Sequence, residues 1–367
     1  MSGLRVAMVT PRFAPFVGGV ETHVAEVAIR LVRQQVAVTV LTIDPSGAHP
    51  QREWMRGIEV RRYPARVAGG FSWQLRTALA AQGADAYDLV HVQGVHTALP
   101  ALALDAARRA RLPTVLTFHT GGHSSRMRRA ARGGQWRALR SSLRSVDRLV
   151  AVCEYEIAEF ASRTGIPPSR FSLIRNGAEP LEVDASDLPA LRGNPLVLSV
   201  ARLERYKGHH RLIAALPELL ELAPEAHLGI VGTGPQEASL RRQANRLGVC
   251  GAVSFVCFGP GQRSELGALL ATADVMALMS DYEAHPISVM EAVALGVPTL
   301  VSRGSGLTEL AAQGLVEAVS ARARPAELAA TLLRTARRTG RPGPLVSLPT
   351  WDDAARDLLA LYQDLVP

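Results

Sequence analysis

A chain of 367 residues is too long for one ordinary domain and suits two, each with a full hydrophobic core. Because 47% of its residues are hydrophobic and 20% are charged, the composition excludes general disorder, and the net charge of +8 favours an anionic partner. No apolar run reaches the roughly 18 residues of a transmembrane helix, no signal peptide precedes the first strand-like run, and the three cysteines lack metal-ligand spacing. We therefore expect a cytoplasmic protein.

Strand-like apolar runs alternate with helical periods along the first half of the chain, which predicts an α/β domain with a mainly parallel sheet. Between the first two runs, Val20, Val24, Val27 and Leu31 recur at helical spacing and indicate a helix that faces the core. The predicted strands are 4–10, 36–43, 88–93, 114–118 and 149–152.

A second series of strand-like runs begins at 195–200 and continues with "HLGIVG", "VSFVCFG", "DVMALM" and "PTLV". The polar, proline-bearing stretch between the two series predicts a domain boundary. Two doubly wound halves result, and because ligands of such sheets bind at the carboxyl ends of strands, we expect the site in the cleft between the domains. We predict an N-terminal domain (1–180), a linker (181–195), a C-terminal domain (196–349) and a helix (350–367) that packs back on the first domain, with Thr350 as its N-cap.

Lys207 is the one lysine among 41 basic residues, and it lies in "VARLERYKGHH", just past the strand that opens the second half. Arg202 precedes it in the same segment. An arginine grips an oxyanion with a planar fork, whereas a lysine supplies a compact point charge, and a diphosphate can use both. The alternative is a surface lysine on the first turn of a helix. Since arginine serves at every other basic position, the retained lysine favours function.

Glu283 and Glu291 stand eight positions apart, and the sequence predicts a helix that begins near Ser288. The backbone N–H groups at such a helix start form an anion site, and two carboxylates beside it suit the hydroxyl groups of a sugar and a ribose. Two glutamates at this spacing also occur in ordinary helices with one exposed side chain. The pair is therefore weak evidence on its own.

These segments together resemble the retaining GT-B glycosyltransferases of family 4. The family's E-x7-E motif corresponds to Glu283 and Glu291, and further agreements follow in the expected order through nearly the whole chain: "GGVETH", "DLVHVQG", "TFHT", "DRLVAVCE", "IRNGAE", "ARLERYKG", "GTGP" and "GSGLTEL". The resemblance implies two Rossmann-like domains with an interdomain cleft. It also implies retaining transfer of a sugar from a nucleotide-diphosphate donor, a UDP-sugar before a GDP-sugar, to a hydroxyl acceptor such as a small metabolite or glycan.

The resemblance assigns roles to individual side chains. Arg202 and Lys207 bind the donor diphosphate, Glu291 binds the ribose hydroxyls, and Glu283 contacts the donor sugar. His119 reaches the transferred sugar, although a lone histidine at a strand end is about as often structural. The chain contains no D-x-D motif, so we expect no metal and no other cofactor, with the cations and the helix start neutralising the diphosphate.

Backbone positions receive roles in the same way. By resemblance, Gly18 and Gly19 approach the β-phosphate and the acceptor, although a tight turn alone would explain both glycines. The resemblance also places Gly234 beside the nucleotide, and it places the N–H groups of Ser288 and Val289 on phosphate oxygens.

The stretch 126–148 carries an apolar stripe and an arginine stripe at helical spacing. Such a helix could contact an anionic membrane from the cytoplasmic side and serve a lipid-linked acceptor, or it could simply pack on its own domain. The apolar stripe is formed by Trp136, Leu139, Leu143 and Val146, and the arginine stripe by Arg137, Arg140, Arg144 and Arg148.

A sugar-nucleotide epimerase is the alternative from another enzyme class. Aromatic residues make up only 5% of the chain and none stacks among the arginines, so we expect no nucleic-acid partner.

Overall fold

The protein is described by a computed structural model that covers residues 3–64, 74–79, 87–95, 97–119, 139–184, 191–259, 261–338 and 347–366. Contacts among these residues divide them into two compact units. The first unit holds the described residues up to His119, those from 139 to Gly177 and those from Pro349 onward; the second unit runs from Ala178 to Leu348. Each unit contains its own sheet, so the expected α/β architecture is confirmed.

The sheet of the first unit has eight strands in the order β3-β4-β2-β1-β5-β6-β7-β8. All neighbours pair in parallel except β3 and β4. The order reverses direction between β1 and β5, which makes the carboxyl ends of those strands the topological switch point. The strands are β1 (Arg5–Val9), β2 (Ala37–Ile43), β3 (Arg52–Met55), β4 (Ile58–Tyr63), β5 (Leu89–Gln93), β6 (Thr114–Thr117), β7 (Arg148–Ala151) and β8 (Phe171–Leu173).

The sheet of the second unit has six parallel strands in the order β11-β10-β9-β12-β13-β14. Its switch point lies between β9 and β12, because successive strands are added on one side before β12 and on the other side after it. The strands are β9 (Leu196–Val200), β10 (His227–Val231), β11 (Val253–Val256), β12 (Val275–Leu278), β13 (Thr299–Arg303) and β14 (Glu317–Ser320).

Helices connect the strands and cover the sheets. The helices that lie wholly within the described residues are α1 (Gly19–Arg33), α2 (Ala98–Ala110), α3 (Glu154–Thr164), α4 (His209–Leu222), α5 (Glu237–Arg246), α6 (Arg263–Thr272), α7 (Ile287–Ala294), α8 (Ser305–Ala312), α9 (Pro325–Ala336) and α10 (Trp351–Gln363). No helix of the described ranges has the length and apolar character needed to cross a membrane.

Helix α1 buries the apolar stripe expected from its sequence, with Val24, Val27 and Leu31 almost fully covered. Helix α10 packs against α1 within the first unit. Thr350 caps α10 as predicted: its hydroxyl accepts the N–H of Asp353 at 3.0 Å, and the Asp353 carboxylate accepts the N–H of Thr350 at 2.9 Å. This reciprocal capping fixes where the helix begins.

The stretch predicted as a linker, 181–195, is described except for 185–190. Leu181 and Leu191 pack against the hydrophobic core of the second unit. The described ends of this stretch therefore belong with the second unit, and the contacts divide the chain after Gly177.

The β3–β4 hairpin was not expected from the sequence. Its two-residue turn, Arg56 and Gly57, has positive φ angles of 51° and 81°, as a tight hairpin turn between twisted strands requires. Charged residues interrupt the apolar alternation of both strands. Only the turn could have predicted this hairpin from the sequence, because the two strands themselves resemble a polar loop.

Candidate functional site

Lys207 and Glu283 meet at the switch point of the second sheet. Lys207 ends the short 3-10 turn that follows β9, and Glu283 lies in the loop after β12. Because β9 and β12 are parallel neighbours, their carboxyl ends bring the two side chains together. Lys207 Nζ lies 2.6 Å from Glu283 Oε1, and the side chains are only 15% and 8% exposed. The result is a nearly buried ion pair.

Glu283 is fixed by three further hydrogen bonds. The Ser280 hydroxyl donates to Oε1 at 2.6 Å. The backbone N–H of Glu283 donates to the Ser305 hydroxyl at 2.9 Å, and its carbonyl accepts the N–H of Gly306 at 3.0 Å. The carboxylate is therefore fixed by Ser280, and the backbone that carries it is fixed to the start of α8.

Gly208 allows the turn that carries Lys207 to approach β12. Its φ of 80° lies in the left-handed region, and a Cβ at this position would clash with the carbonyl group of Met279. Next to it, the N–H of Asp281 donates to the carbonyl of Tyr206 at 2.7 Å. These contacts lock the loops after β9 and β12 against each other.

Arg202 stands on the same segment as Lys207. Its guanidinium donates to the hydroxyl of buried Tyr206 at 3.0 Å. Its carbonyl accepts from Nε2 of His209 at 3.3 Å, so Nε2 carries the proton and Nδ1 accepts from the Ser199 hydroxyl at 3.0 Å. Burial lowers the pKa of His209 to about 4, which keeps the ring neutral beside the two cations.

Helix α7 begins at Ile287, one residue before the predicted start. The Ser288 hydroxyl donates to the carbonyl of Val200 at 2.9 Å, which ties the start of the helix to the end of β9. The N–H of Val289 lies 3.2 Å from the carbonyl of Pro286. A phosphate bound to the Val289 amide, as the resemblance implies, would compete with this long bond.

Glu291 lies one turn further along α7 and is buried. The guanidinium of Arg263, at the start of α6, forms a close ion pair with its Oε1 atom. Sequence reasoning did not single out Arg263, because nothing in its neighbourhood distinguishes it from the other arginines. The structure therefore adds a cation next to the predicted ribose ligand.

Gly234 has a structural reason to be glycine. Its φ is 159°, and a Cβ there would lie 2.7 Å from the carbonyl oxygen of Leu203. The backbone of Gly234 thus lies close to the backbone of Leu203 in the same unit.

Gly18 and Gly19 follow β1 and begin α1 in the first unit. Gly18 is extended, with a φ of 177°, and a Cβ on it would meet mainly the flexible carboxylate of Glu21. A Cβ on Gly19 would have no atom of the described residues within 4 Å. Packing within the described part of the first unit therefore does not explain why both positions hold glycine.

His119 follows β6 at the carboxyl edge of the first sheet, with a positive φ of 45°. Its Nε2 atom lies 2.7 Å from Oε1 of Gln93, and its ring meets the ring of His23 edge-on at 4.4 Å. His23 Nδ1 in turn lies 2.8 Å from Oδ1 of Asn176. Burial lowers the pKa of His23 to about 4, so its ring is neutral near pH 7.

The basic stretch is described only in its second part, because 126–138 lies outside the described residues. In the remainder, Leu139, Leu143 and Val146 are buried in the core of the first unit. Arg140 donates to the carbonyl of Thr164 at 2.6 Å. The apolar stripe of 139–148 is therefore used for packing within the unit.

Two doubly wound units, each with its own mainly parallel sheet and switch point, are the architecture of the GT-B class of glycosyltransferases. Residues 17–180 match the family model described as Glycosyltransferase Family 4, and residues 184–337 match Glycosyl transferases group 1. The chain belongs to this family of glycosyltransferases. Membership favours the transferase over the epimerase alternative.

Two relatives in sequence and one solved structure are similar to this chain. The chain is 32% identical to a glycogen synthase of Mycobacterium tuberculosis over 85% of its own length and 81% of the relative. It is 30% identical to a GDP-mannose-dependent alpha-(1-6)-phosphatidylinositol monomannoside mannosyltransferase of the same organism, over 83% and 82%. In structure it resembles Anabaena HepE in complex with UDP and glucose, with a TM-score of 0.74, 20% identity, and 99% and 98% of the chains covered.

Proposed function

We propose that this protein transfers a sugar from a nucleotide-diphosphate donor to a hydroxyl acceptor, with retention of the anomeric configuration. The buried pair of Lys207 and Glu283 at the switch point of the second sheet carries the proposal. A lysine kept in a chain that otherwise uses arginine, and placed where such sheets bind ligands, is suited to a phosphate group.

In the proposed complex, Lys207 and Arg202 bind the diphosphate. Both cations lie on one segment after β9, next to the start of α7, whose backbone N–H groups add partial positive charge. Ser288 and Val289 supply those N–H groups. Negative charge that develops on the leaving diphosphate is stabilised by groups already in place, and such preorganised stabilisation often contributes more to catalysis than any other effect. Glu283 is then available for hydroxyl groups of the sugar.

The proposed reaction breaks the bond between the anomeric carbon and the phosphate oxygen, and the electron pair stays on that oxygen. The acceptor hydroxyl forms the new bond from the same face, and its proton passes to the leaving phosphate. Atoms and charge balance without another reactant. The departing phosphate and the incoming oxygen occupy the same face of the positively charged sugar ring, so the anomeric configuration is retained. His119 contacts the transferred sugar in this proposal, and Gly18 and Gly19 admit the phosphate and acceptor.

Metal independence is part of the proposal, since Arg202, Lys207 and the helix start supply positive charge for the diphosphate. We expect transfer to continue in the presence of EDTA. A strict requirement for a divalent cation would contradict this part alone. We place the reaction in the cytoplasm, where nucleotide sugars would reach the site.

We favour a uridine nucleotide and keep guanosine as the alternative. The complex of HepE with UDP and glucose supports the first, and the GDP-mannose dependence named for the mannosyltransferase supports the second. Thermal-shift measurements with UDP, GDP and ADP should show one clearly stabilising nucleotide. Since a ligand at 100 times its Kd adds about 2.7 kcal/mol to stability, the preferred base should be evident.

The decisive experiment incubates the protein with UDP- and GDP-sugars and a panel of hydroxyl acceptors, with mass detection of product. We expect a new glycoside, and an anomeric bond of the same configuration as in the donor by NMR. Inversion would contradict retention. An isomerised donor without transfer would support the epimerase instead.

A lipid-linked acceptor is the second candidate, because one relative is named as acting on a phosphatidylinositol mannoside. In this case the protein would bind the inner face of the membrane at its periphery. Sedimentation with vesicles of phosphatidylglycerol and phosphatidylcholine tests this idea. Binding that rises with the anionic lipid and falls with salt would support the lipid acceptor, whereas equal recovery in the supernatant at every composition would favour a soluble acceptor.

A further inference from the structure

Gln93 lies where two strands deliver polar side chains to the carboxyl edge of the first sheet. It is the last residue of β5, and its backbone pairs in register with Thr117, the last residue of β6. The chain continues from Thr117 through Phe118 to His119, while the N–H of Gly94 donates to the carbonyl of Thr117 at 2.7 Å. The relative position of Gln93 and His119 is therefore set by sheet hydrogen bonds.

The contact between the two side chains restricts the position of a proton. Gln93 is 1% exposed, and its Oε1 lies 2.7 Å from Nε2 of His119. An amide oxygen only accepts hydrogen bonds, so Nε2 of His119 must carry the hydrogen. In the neutral ring, Nδ1 is then the nitrogen with the lone pair.

The NH2 group of the Gln93 amide indicates the role of this side chain. Its Nε2 group is buried, and within the described part of the chain it has no hydrogen-bond partner. A buried amide donor without a partner is unfavourable, so an apolar side chain would suit a purely structural position better. The amide is retained with its acceptor directed at the histidine.

Among the described residues, the buried rings of this part of the first unit carry no charge near pH 7. His23, which touches its ring, has its pKa lowered to about 4 by burial, and burial lowers the pKa of His91 to about 3. His91 itself is satisfied by Tyr362 at 2.6 Å and Thr117 at 2.8 Å. Burial also raises the pKa of Tyr362. Near pH 7 the rings of His23, His91 and Tyr362 are therefore uncharged. The neutral amide of Gln93 adds no charge beside His119, whereas a carboxylate at the same position would.

We infer that Gln93 is a positioning residue that orients His119 with its proton on Nε2 and its lone pair on Nδ1. The inference rests on the proposed function, in which His119 contacts the transferred sugar. It refines that role, because Nδ1 with a lone pair accepts a hydrogen bond from a sugar hydroxyl. The substrate group recognised through this arrangement is a hydroxyl that donates a hydrogen bond.

The test combines NMR with kinetics on the full-length protein. Long-range ¹⁵N–¹H spectra of the histidine rings, with His119 assigned through His119→Gln, report the tautomer directly. The variants are Gln93→Leu, which removes the acceptor, and Gln93→Glu, which keeps an acceptor but adds charge. Thr117→Val is the matched control, because it removes a buried hydrogen bond to a histidine on the same strand pair, at His91, and leaves His119 untouched.

We expect the Nε2-protonated form in the wild type and a mixture of tautomers in Gln93→Leu. In that variant kcat should fall about tenfold, the effect of roughly one lost hydrogen bond, while KM for the nucleotide sugar stays within about threefold. Gln93→Glu should keep the proton on Nε2, raise the pKa of His119 and shift the pH profile of kcat to higher pH. Thr117→Val should leave the His119 signals and kcat unchanged.

Three results would overturn the inference. The first is a wild-type His119 with its proton on Nδ1, which would mean that the Gln93 amide has the opposite orientation. The second is an unchanged tautomer and kcat in Gln93→Leu. The third is an equal loss in Thr117→Val, which would indicate general destabilisation. If no sugar donor is used at all, the proposed function fails, but the NMR result still decides the role of Gln93.

Discussion

Lys207 Nζ and Glu283 Oε1 lie 2.6 Å apart, in the segments that follow two neighbouring strands, and both side chains are nearly buried. Each charge compensates the other, so removing one leaves the other buried. We expect Lys207→Ala to lower transferase activity by about 10³-fold and the free energy of unfolding by about 3–5 kcal/mol. Steady-state kinetics and urea unfolding measure the two effects separately.

The double variant Lys207→Ala/Glu283→Gln separates stability from catalysis. Neutralising the stranded carboxylate should recover most of the lost unfolding free energy, yet transfer should remain abolished. Lys207→Arg keeps the charge, so a further failure of that variant would show that the compact shape of the lysine matters. Full activity in Lys207→Ala would contradict the proposed diphosphate site.

The open space at Gly19 yields a second prediction. A Cβ there meets no atom of the described residues within 4 Å, so Gly19→Ala should fold normally, with an equal or slightly higher melting temperature because alanine favours a helix. If a phosphate approaches this backbone, kcat/KM should nevertheless fall about 10- to 100-fold. The matched control is Gly251→Ala, whose Cβ also has open space, in the second unit. Equal activity of both variants would exclude close approach at Gly19.

Arg263 provides a third prediction, through its ion pair with Glu291. Arg263→Gln should leave that carboxylate less well oriented for the ribose, and the Kd for UDP should rise about tenfold. Binding of 2′,3′-dideoxy-UDP should change little, because it lacks the hydroxyl groups that Glu291 would bind. Calorimetric titration of both ligands makes the comparison, with Arg246→Gln on an exposed surface as control. A uniform loss for both ligands would place Arg263 against the phosphates instead.

Acid should destabilise the first unit through its buried histidines. The pKa of His23 is about 4 in the folded protein against 6.5 unfolded, so between these values the unfolded chain binds more protons. The contribution of this histidine to the free energy of unfolding is therefore fully present above about pH 6.5. It decreases as the pH falls toward 4, by about 1.4 kcal/mol per pH unit for each such group. Urea unfolding followed by the fluorescence of buried Trp351 should show a slope smaller by one proton in His23→Gln. An unchanged slope would mean that His23 is not buried as a neutral ring.

The sequence predicted the buried strands well, because each is a short apolar run bounded by polar turns. It missed the hairpin of β3 and β4, where Arg52 and Arg61 face each other across an antiparallel pair and mask the alternation. It also missed β8 and β14, which are short and only partly buried at the edges of the sheets. Edge strands carry little hydrophobic signal, since one side lacks a neighbour.

At the candidate site, the rarity of lysine and the motif context singled out Lys207 and Glu283, which the structure brings together as an ion pair. The partners that hold these residues were not predictable. Ser280, Ser305 and Arg263 act through contacts between segments that are distant in the chain, and serine and arginine are common on any surface. The roles of all the predicted site residues, those of Gly18, Gly19 and His119 included, stay predictions that the variants test.

Helix α10 is made by the ribosome after every strand of both sheets, yet it supports the first unit. Its Tyr362 hydroxyl bonds to His91 on β5, and its Trp351 ring lies 5.8 Å from that of His23. The half of the protein that is synthesised first is consequently the last to complete its core. A nascent chain stalled before Trp351 would leave one side of α1 in water, a surface that chaperones bind, while the second unit could already be folded.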